Sequence, residues 1–572
     1  MKKKLASANP YMPLWEHVPD GEPRVFEYDG EKRVYVYGSH DTRLSEYCGD
    51  DYVVWSAPVD DLTDWKCHGT CYKAMSDRPL YAPDVVCKDG IYYMYVAEKQ
   101  GSEVYVARSD KPWGPFTDPV LTDLGFDPGI LVDDDGRVYA YWGFCSSFAA
   151  ELNDDMATIK EGTYVEHLIG HSNAPWVHET EHADPKDAFF EASSPRKVCG
   201  KYVLIFSRRY EHPVPELGVY ADNNGFLSYK YSDDPLGGFV EGGDISFNGG
   251  EIIGDHPDRI MTYQWGNNHG SIMQVGDEWF VFYHRQTGTN EYTRQAMIEK
   301  ISVDTDQNGH LYIGDISYEN GQPVSQRPVE MTSQGANLNG IDAYLEISAG
   351  YACHMYDGSG DSIYSVSSPD GAAGVARDRD DDDLAKRASH KMTVMPVFTP
   401  ESGISHETYA QMKKEGRVYI TGNNTDGKSM PYTMGIVYDE PGIYSSPITN
   451  IYDGATIGYR YLQFGDISPS SVTVRIKAIS APDSDGISDT KESASPVTIR
   501  IHIDEYHGEV ISEIKADTRA LESEIPLGLK DGWEEYTGEL TGAVTGKHAV
   551  YFEFVSDDKE QAFAFDAFTF DR

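Results

Sequence analysis

Positive charge is scarce in this chain: 48 Lys and Arg stand against 93 Asp and Glu, a formal charge of −45 over 572 residues. Such a field repels phosphate backbones and anionic lipid, and no compact Lys/Arg stripe makes a local exception, so neither nucleic acid nor a membrane is expected as a partner. Long apolar runs are also missing. None approaches the ~20 residues that span a bilayer. The opening MKKKLASANPYMPLW lacks the roughly 7–15-residue apolar stretch of a secretory leader. The expectation is a cytoplasmic protein, or a secreted one whose leader has been trimmed. Cysteine is sparse, with seven scattered residues. Cys67 and Cys71 have the spacing of half a metal clip, but no second Cys/His pair completes four ligands, so reduced structural thiols are expected. Helical periodicity is sparse throughout.

Aromatics, by contrast, make up 12% of the chain, with 40 Tyr beside 54 Gly and 30 Pro. That composition suits short strands joined by tight turns, and the length exceeds the ~250–300 residues of a single core. Five segments repeat one pattern: EKRVYVYGS (31–39), DGIYYMYVA (89–97), DGRVYAYWG (135–143), CGKYVLIFS (199–207) and GDEWFVFYH (276–284). Each reads as a tight turn followed by a strand, the signature of a β-hairpin. Spaced at intervals long enough for about four strands, five such units arranged radially make a five-bladed β-propeller.

Five to eight residues before each turn stands an ionisable residue: Glu22, Asp84, Asp127, Glu191 and His269. The innermost strand of a propeller blade starts at the central channel, so equivalent positions converge on one axis. Carboxylates forced together raise one another's pKa, and such pairs serve glycosidic cleavage as acid and base. A divalent-metal cage is the other use, but VDDDG (132–136) reads as a solvated turn rather than a Ca²⁺ loop.

In order and spacing, residues 8–325 resemble glycoside hydrolase family 43, a family of five-bladed propellers. The resemblance rests on SANPYMPLW followed by PDGEPRVF, on Tyr81-Ala82-Pro83-Asp84, on Asp127-Pro128 in FDPGILVDDDG, on Glu191 in FFEASSP and on His269 in the fifth blade. It implies an inverting hydrolase in which Glu191 is the general acid and Asp127 holds and tunes it. The family's base lies in an Asp-Pro, and here the chain reads Asp20-Gly21-Glu22-Pro23. Glu22 is preferred over Asp20, because it precedes the Pro and stands seven residues before Asp29. An inverting pair implies carboxyls ~6.5–9.5 Å apart. By the same resemblance His269 belongs with a central cation or water cluster, and Arg294 reaches the sugar. Asp84 is expected to bind substrate or cap a turn. Tyr81, Phe126, Trp142 and Trp55 flank the motifs and offer sugar-stacking faces. No cofactor is required, and a structural Ca²⁺ is possible.

The hairpin repeat stops near residue 325, which divides the chain into a catalytic propeller (1–325) and a second unit (326–572). RDRDDDDL (377–384) reads as a solvated loop. IGYRYLQFG, VTVRIKAI, VTIRIHID, HAVYFEFVS and FAFDAFTFD alternate with period two, which predicts a β-sandwich or jelly roll. The ending resembles carbohydrate-binding module family 6, for which Tyr459, Tyr461, Trp533 and Tyr536 are the sugar-facing aromatics on offer. Together these readings imply an exo-acting glycosidase that releases terminal α-L-arabinofuranose or β-D-xylose from oligosaccharides of plant polysaccharides. A galactan-directed hydrolase and a non-catalytic sugar-binding propeller are the alternatives.

Overall fold

In this computed structural model the described residues run from 6 to 572, except 15, 43–46, 171–188, 211–222, 254–259, 262–265, 287–293, 357–392, 395–396, 399–417, 421–433, 437–443, 446, 480–494, 519, 522–532 and 560. Among them no helix is long and apolar enough to cross a membrane. The loop 377–384 lies outside the described residues.

Five antiparallel meanders follow one another along the first half. Blade one is β1 (Glu22–Tyr28), β2 (Glu31–Tyr37), β3 (Asp51–Pro58) and β4 (Lys66–Lys73), and blade two is β5 (Tyr81–Lys88), β6 (Ile91–Ala97), β7 (Glu103–Ser109) and β8 (Thr117–Leu121). Blade three is β9 (Gly129–Val132), β10 (Val138–Trp142), β11 (Phe148–Leu152) and β12 (Val165–Glu166). Blade four is β13 (Phe189–Val198), β14 (Lys201–Tyr210), β15 (Asn223–Ser232) and β16 (Val240–Phe247). A ribbon of β17 (Ile252–Ile253) and β18 (Ile260–Met261) leads to blade five: β19 (Ser271–Val275), β20 (Glu278–Gln286), β21 (Arg294–Thr305), β22 (Leu311–Glu319) and β23 (Gln322–Arg327). The repeated turns explain the hairpins locally. Asp29-Gly30, Asp89-Gly90 and Cys199-Gly200 have positive φ at both positions, the turn geometry whose twist matches that of paired strands.

Charged ties across the axis join the inner strands. Arg24 of β1 reaches Asp84 of β5 at 2.6 Å and the Ile130 carbonyl of β9 at 3.0 Å. Arg196 of β13 reaches Glu22 of β1 at 2.7 Å and the Ile272 carbonyl of β19 at 3.0 Å. All five inner strands are thus bound by two guanidinium groups. The N-terminal segment closes the ring: Asn9 both donates to and accepts from the Ile298 backbone of β21. Between blades the filling is apolar and aromatic, as where Tyr35, Tyr37 and Tyr52 pack with Val85, Tyr92 and Met94.

Among the described residues the second half has two large sheets, beside two short two-stranded ribbons. Ile341–Asp342, His354–Tyr356, Thr456–Gln463, Lys547–Ser556, Val497–Ile503 and Glu509–Ala516 form one, and the other is centred on Ile448–Ile451, Ala562–Asp571, Ser471–Ile479 and Glu534–Glu539. They pack face to face, since Phe552 and Tyr459 of the first sheet each lie 4.7 Å from Phe568 of the second. Tyr459 is therefore core and not a sugar-facing aromatic. Along Ala562–Asp571 the aromatic alternation changes phase between Phe565 and Phe568, where the ladder with Arg475 and Ile476 shifts register; an extra residue there keeps both pairs of rings inward.

The sandwich is fused to blade five. Arg285, fully buried on β20, donates to the carbonyls of Gly350 and Ala352 and to Gln295 of β21. Glu251 of the propeller meets His354 at 2.9 Å and Arg460 at 3.1 Å. Apolar residues of both units, among them Ile272, Val281, Ile341 and Phe464, share one core.

Candidate active site

At one mouth of the axis the chain enters β1 through Asp20, whose φ is 58°, a left-handed conformation that Asp adopts more readily than most residues. Arg294, at the start of β21, donates from Nη1 to Asp20 Oδ1 at 2.9 Å. His284 at the end of β20 and His269 just before β19 bring Nδ1 within 3.4 and 3.8 Å of the same oxygen. Arg294 is itself aimed by Asp41, which accepts its backbone N–H at 3.0 Å and its Nη2 at 2.9 Å, while the Tyr47 ring lies 5.0 Å from the guanidinium.

These contacts set the charges. Burial alone would raise Asp20, but the Arg294 guanidinium holds its carboxyl below the ordinary value. Burial pushes His269 down to about 4 and His284 to about 3. Both imidazoles are therefore neutral near pH 7, and Arg294 is the charge that keeps Asp20 ionised.

Asp127 stands before β9 with φ 49°. Its Oδ2 lies 3.6 Å from His269 Nδ1 and accepts the N–H of Ala192 at 3.2 Å. Ala192 has φ 70°, a strained position for a residue with a Cβ, in a stretch of β13 where the ladder slips on both sides of Glu191. Burial, then the charge of Asp20, push Asp127 well above the usual carboxylate range. Two carboxyls at one mouth thus divide: Arg294 holds Asp20 down, while burial and the charge of Asp20 push Asp127 up. Glu191 is half-buried opposite Ser207. Burial raises the nearby Tyr81 hydroxyl, and the charges of Glu191 and Asp127 add to the effect. Tyr81 meets Phe126 at 5.7 Å, Phe126 meets Phe144 at 5.2 Å, and Phe144 meets Phe190 at 5.3 Å, an aromatic row ending on the residue before Glu191.

The structure therefore brings together Asp20, Asp127, His269 and Arg294, with Glu191, Tyr81 and Phe126 alongside. Four expectations are corrected. Glu22 is 2% exposed and its Oε2 is held by Arg196 at 2.7 Å; two residues along a strand amount to about 7 Å, which carries it past the mouth to the level of the cross-axis ties. Asp84 is fully buried, with its oxygens taken by Arg24, the Val85 N–H at 2.6 Å and the Ile130 N–H at 2.7 Å, so it ties blades and does not meet substrate. Trp142 packs inside blade three, 5.9 Å from Phe148 and close against Gly125. Trp55 is likewise core, donating to Glu16. Sequence reasoning missed His284 and Asp41. His284 had a signal: it ends the fifth repeat, where the other four end in Ser39, Ala97, Gly143 and Ser207. Asp41 had none.

A hard cation such as Ca²⁺ takes six to eight oxygen ligands. His269 offers a nitrogen, and the Asp20 oxygen nearest it is already held by Arg294, so these side chains do not fit a directly bound Ca²⁺. Among the described residues, three metal-ligating side chains converge elsewhere, at His502, His507 and Glu553 of the sandwich.

Comparison with known proteins identifies the family of this chain. The sequence profile of Glycosyl hydrolases family 43 matches residues 20–308. A xylosidase/arabinosidase from Thermoclostridium stercorarium is 30% identical over 578 residues, 96% of this chain and 95% of that one. Xylosidase/arabinosidase 43A from Humicola insolens is 27% identical over 353 residues, 51% of this chain and 97% of that one. A solved family 43 arabinoxylan arabinofuranohydrolase from Bacillus subtilis, in complex with cellotetraose, aligns over 99% of this chain and 97% of its own at 18% identity, with a TM-score of 0.40. With the profile spanning half of the chain and a 30%-identical relative matching nearly all of it, the protein belongs to glycosyl hydrolases family 43 and is a glycosidase.

Proposed function

We propose that the protein is an exo-acting, inverting glycosidase that removes terminal α-L-arabinofuranose or β-D-xylose from xylan-derived oligosaccharides. Relatives named for both pentoses support the substrate class. The observation that carries the chemistry is an Arg294-bound Asp20 that shares His269 with Asp127, which in turn holds the backbone beside a half-buried Glu191. Asp20 is the base. It accepts a proton from water as the water oxygen bonds to the anomeric carbon and the glycosidic C–O bond breaks, while Glu191 gives its proton to the departing oxygen. Exchange with solvent then restores both groups. Asp127 positions Glu191 through the backbone. Arg294 keeps the base ionised, and the Tyr81–Phe126 row supplies an apolar face for the sugar ring. No step uses a metal.

In this reading residues 1–325 are the catalytic unit and 326–572 form a module like carbohydrate-binding module family 6, which here braces the propeller. A screen of nitrophenyl α-L-arabinofuranoside, β-D-xyloside and β-D-galactoside, with NMR of the first-formed anomer, tests the proposal. Cleavage of one or both pentosides with inversion is expected. Turnover of the galactoside alone would overturn the substrate class, and retention of configuration the assignment of Asp20.

A further inference from the structure

We propose that His502, His507 and Glu553 bind a borderline-soft divalent cation, Zn²⁺ above all, which staples a hairpin of the sandwich. Val497–Ile503 and Glu509–Ala516 pair as a hairpin, and His502 lies near the end of its first strand. His507 sits in the connecting turn with φ 57°. Glu553 lies on the neighbouring strand Lys547–Ser556, where Tyr551 is the direct partner of His502 and Arg500 that of Glu553. Glu553 is thus the diagonal neighbour of His502 on the same face, within reach of a long side chain.

The ligand atoms of the three lie within 4.8 Å of one another. His502 Nε2 is 3.3 Å from Glu553 Oε2, and His507 Nδ1 is 3.7 Å from Glu553 Oε1. A tetrahedral ion with bonds of ~2.0–2.1 Å sets its ligands about 3.4 Å apart, so an ion enters here with little rearrangement.

Hydrogen bonding gives an independent reason for a cation. His502 is 4% exposed, and its Nδ1 lies 2.9 Å from the Gly508 carbonyl. A carbonyl only accepts, so Nδ1 carries the proton. With Nδ1 committed to the carbonyl, Nε2 is the nitrogen turned to the Glu553 carboxylate at 3.3 Å, the placement that a cation between them requires. An imidazole whose other nitrogen donates to a backbone carbonyl is also the usual form of a metal-bound histidine. Two nitrogens and one carboxylate favour Zn²⁺ over Ca²⁺ or Mg²⁺. The incumbent is Arg500, whose Nη1 lies 3.4 Å from Glu553 Oε2.

The test uses the full chain stripped with chelator, titrated calorimetrically with Zn²⁺ and then with Ca²⁺, and followed by thermal unfolding. One Zn²⁺ per chain is expected, with an upward shift of the unfolding midpoint that Ca²⁺ does not reproduce. His507→Ala, on an exposed turn, and Glu553→Gln should each weaken binding at least about tenfold and abolish the shift. Arg500→Gln should tighten binding, and His167→Ala on the propeller should leave it unchanged. Absence of Zn²⁺ binding, or binding indifferent to both His507→Ala and Glu553→Gln, overturns the proposal. Pentoside hydrolysis by the stripped enzyme should be unchanged, so this test and that of the proposed function fail separately.

Discussion

Asp127 of the third blade accepts the backbone N–H of Ala192 at 3.2 Å, so the residue that follows Glu191 is fixed from across a blade boundary. Asp127→Ala removes the acceptor that holds the Ala192 N–H. Glu191→Gln removes the proton that the leaving group needs. Both should lower kcat by roughly 10²–10⁴-fold, the usual range for general acid–base catalysis, with circular dichroism unchanged. Near-normal turnover by Glu191→Gln would remove it from the role of acid.

Asp20 and Glu22 should separate cleanly. Asp20→Asn is expected to abolish most turnover while leaving the thermal midpoint close to that of the parent. Glu22→Gln leaves the Arg196 guanidinium buried without its counter-ion, which costs about 3–5 kcal/mol. Its signature is a lowered midpoint with turnover per folded molecule largely kept. The opposite pattern would make Glu22 the base.

The acid limb of activity should follow Asp20. Its folded value lies below the ordinary carboxylate value because Arg294 outweighs burial. The ionised form therefore persists below pH ~4, and kcat/KM should hold until pH falls through that depressed value. Arg294→Gln removes the nearby charge and should move the limb upward. An acid limb unaffected by Arg294→Gln would detach the profile from Asp20.

An alkaline loss of stability should come from His40. Burial lowers it, but Asp51 at 2.7 Å and Glu16 at 3.2 Å more than reverse this and raise it to about 10. A group raised above its unfolded value of ~6.5 contributes its full stability below that pH and loses it as pH climbs through the folded value. Midpoints measured from pH 6 to 10 should fall in the parent, and more gently in His40→Gln. Parallel curves would refute the charge assignment.

Arg285 should couple the two units. Its buried guanidinium serves two sandwich carbonyls and Gln295, while its strand neighbour His284 faces Asp20. Arg285→Met should cost about 2–4 kcal/mol and split calorimetric unfolding into two transitions. A single unshifted transition would show that the shared apolar core alone holds the units together.

Turn chemistry and strand alternation are local, and they were legible. Asp-Gly, Cys-Gly and Gly-Asp pairs before aromatic strands marked the propeller hairpins, period-two runs marked the sandwich, and motif order pointed to Asp127, Glu191 and Arg294. What needed tertiary structure was depth along the axis. Asp20 and Glu22 are two residues apart and alike in chemistry, yet one meets Arg294 and the other Arg196. That outcome depends on where guanidinium groups from distant blades arrive, which spacing from a turn does not encode. Asp84 was misjudged for the same reason: Arg24 and the Ile130 amide come to it from two other blades. The sequence by itself determined which residues are able to carry charge at the blade starts. Folding decided which of those charges are neutralised as struts and which is left, ionised by Arg294, at the channel mouth, because in a buried site the nearest opposite charge outweighs everything local.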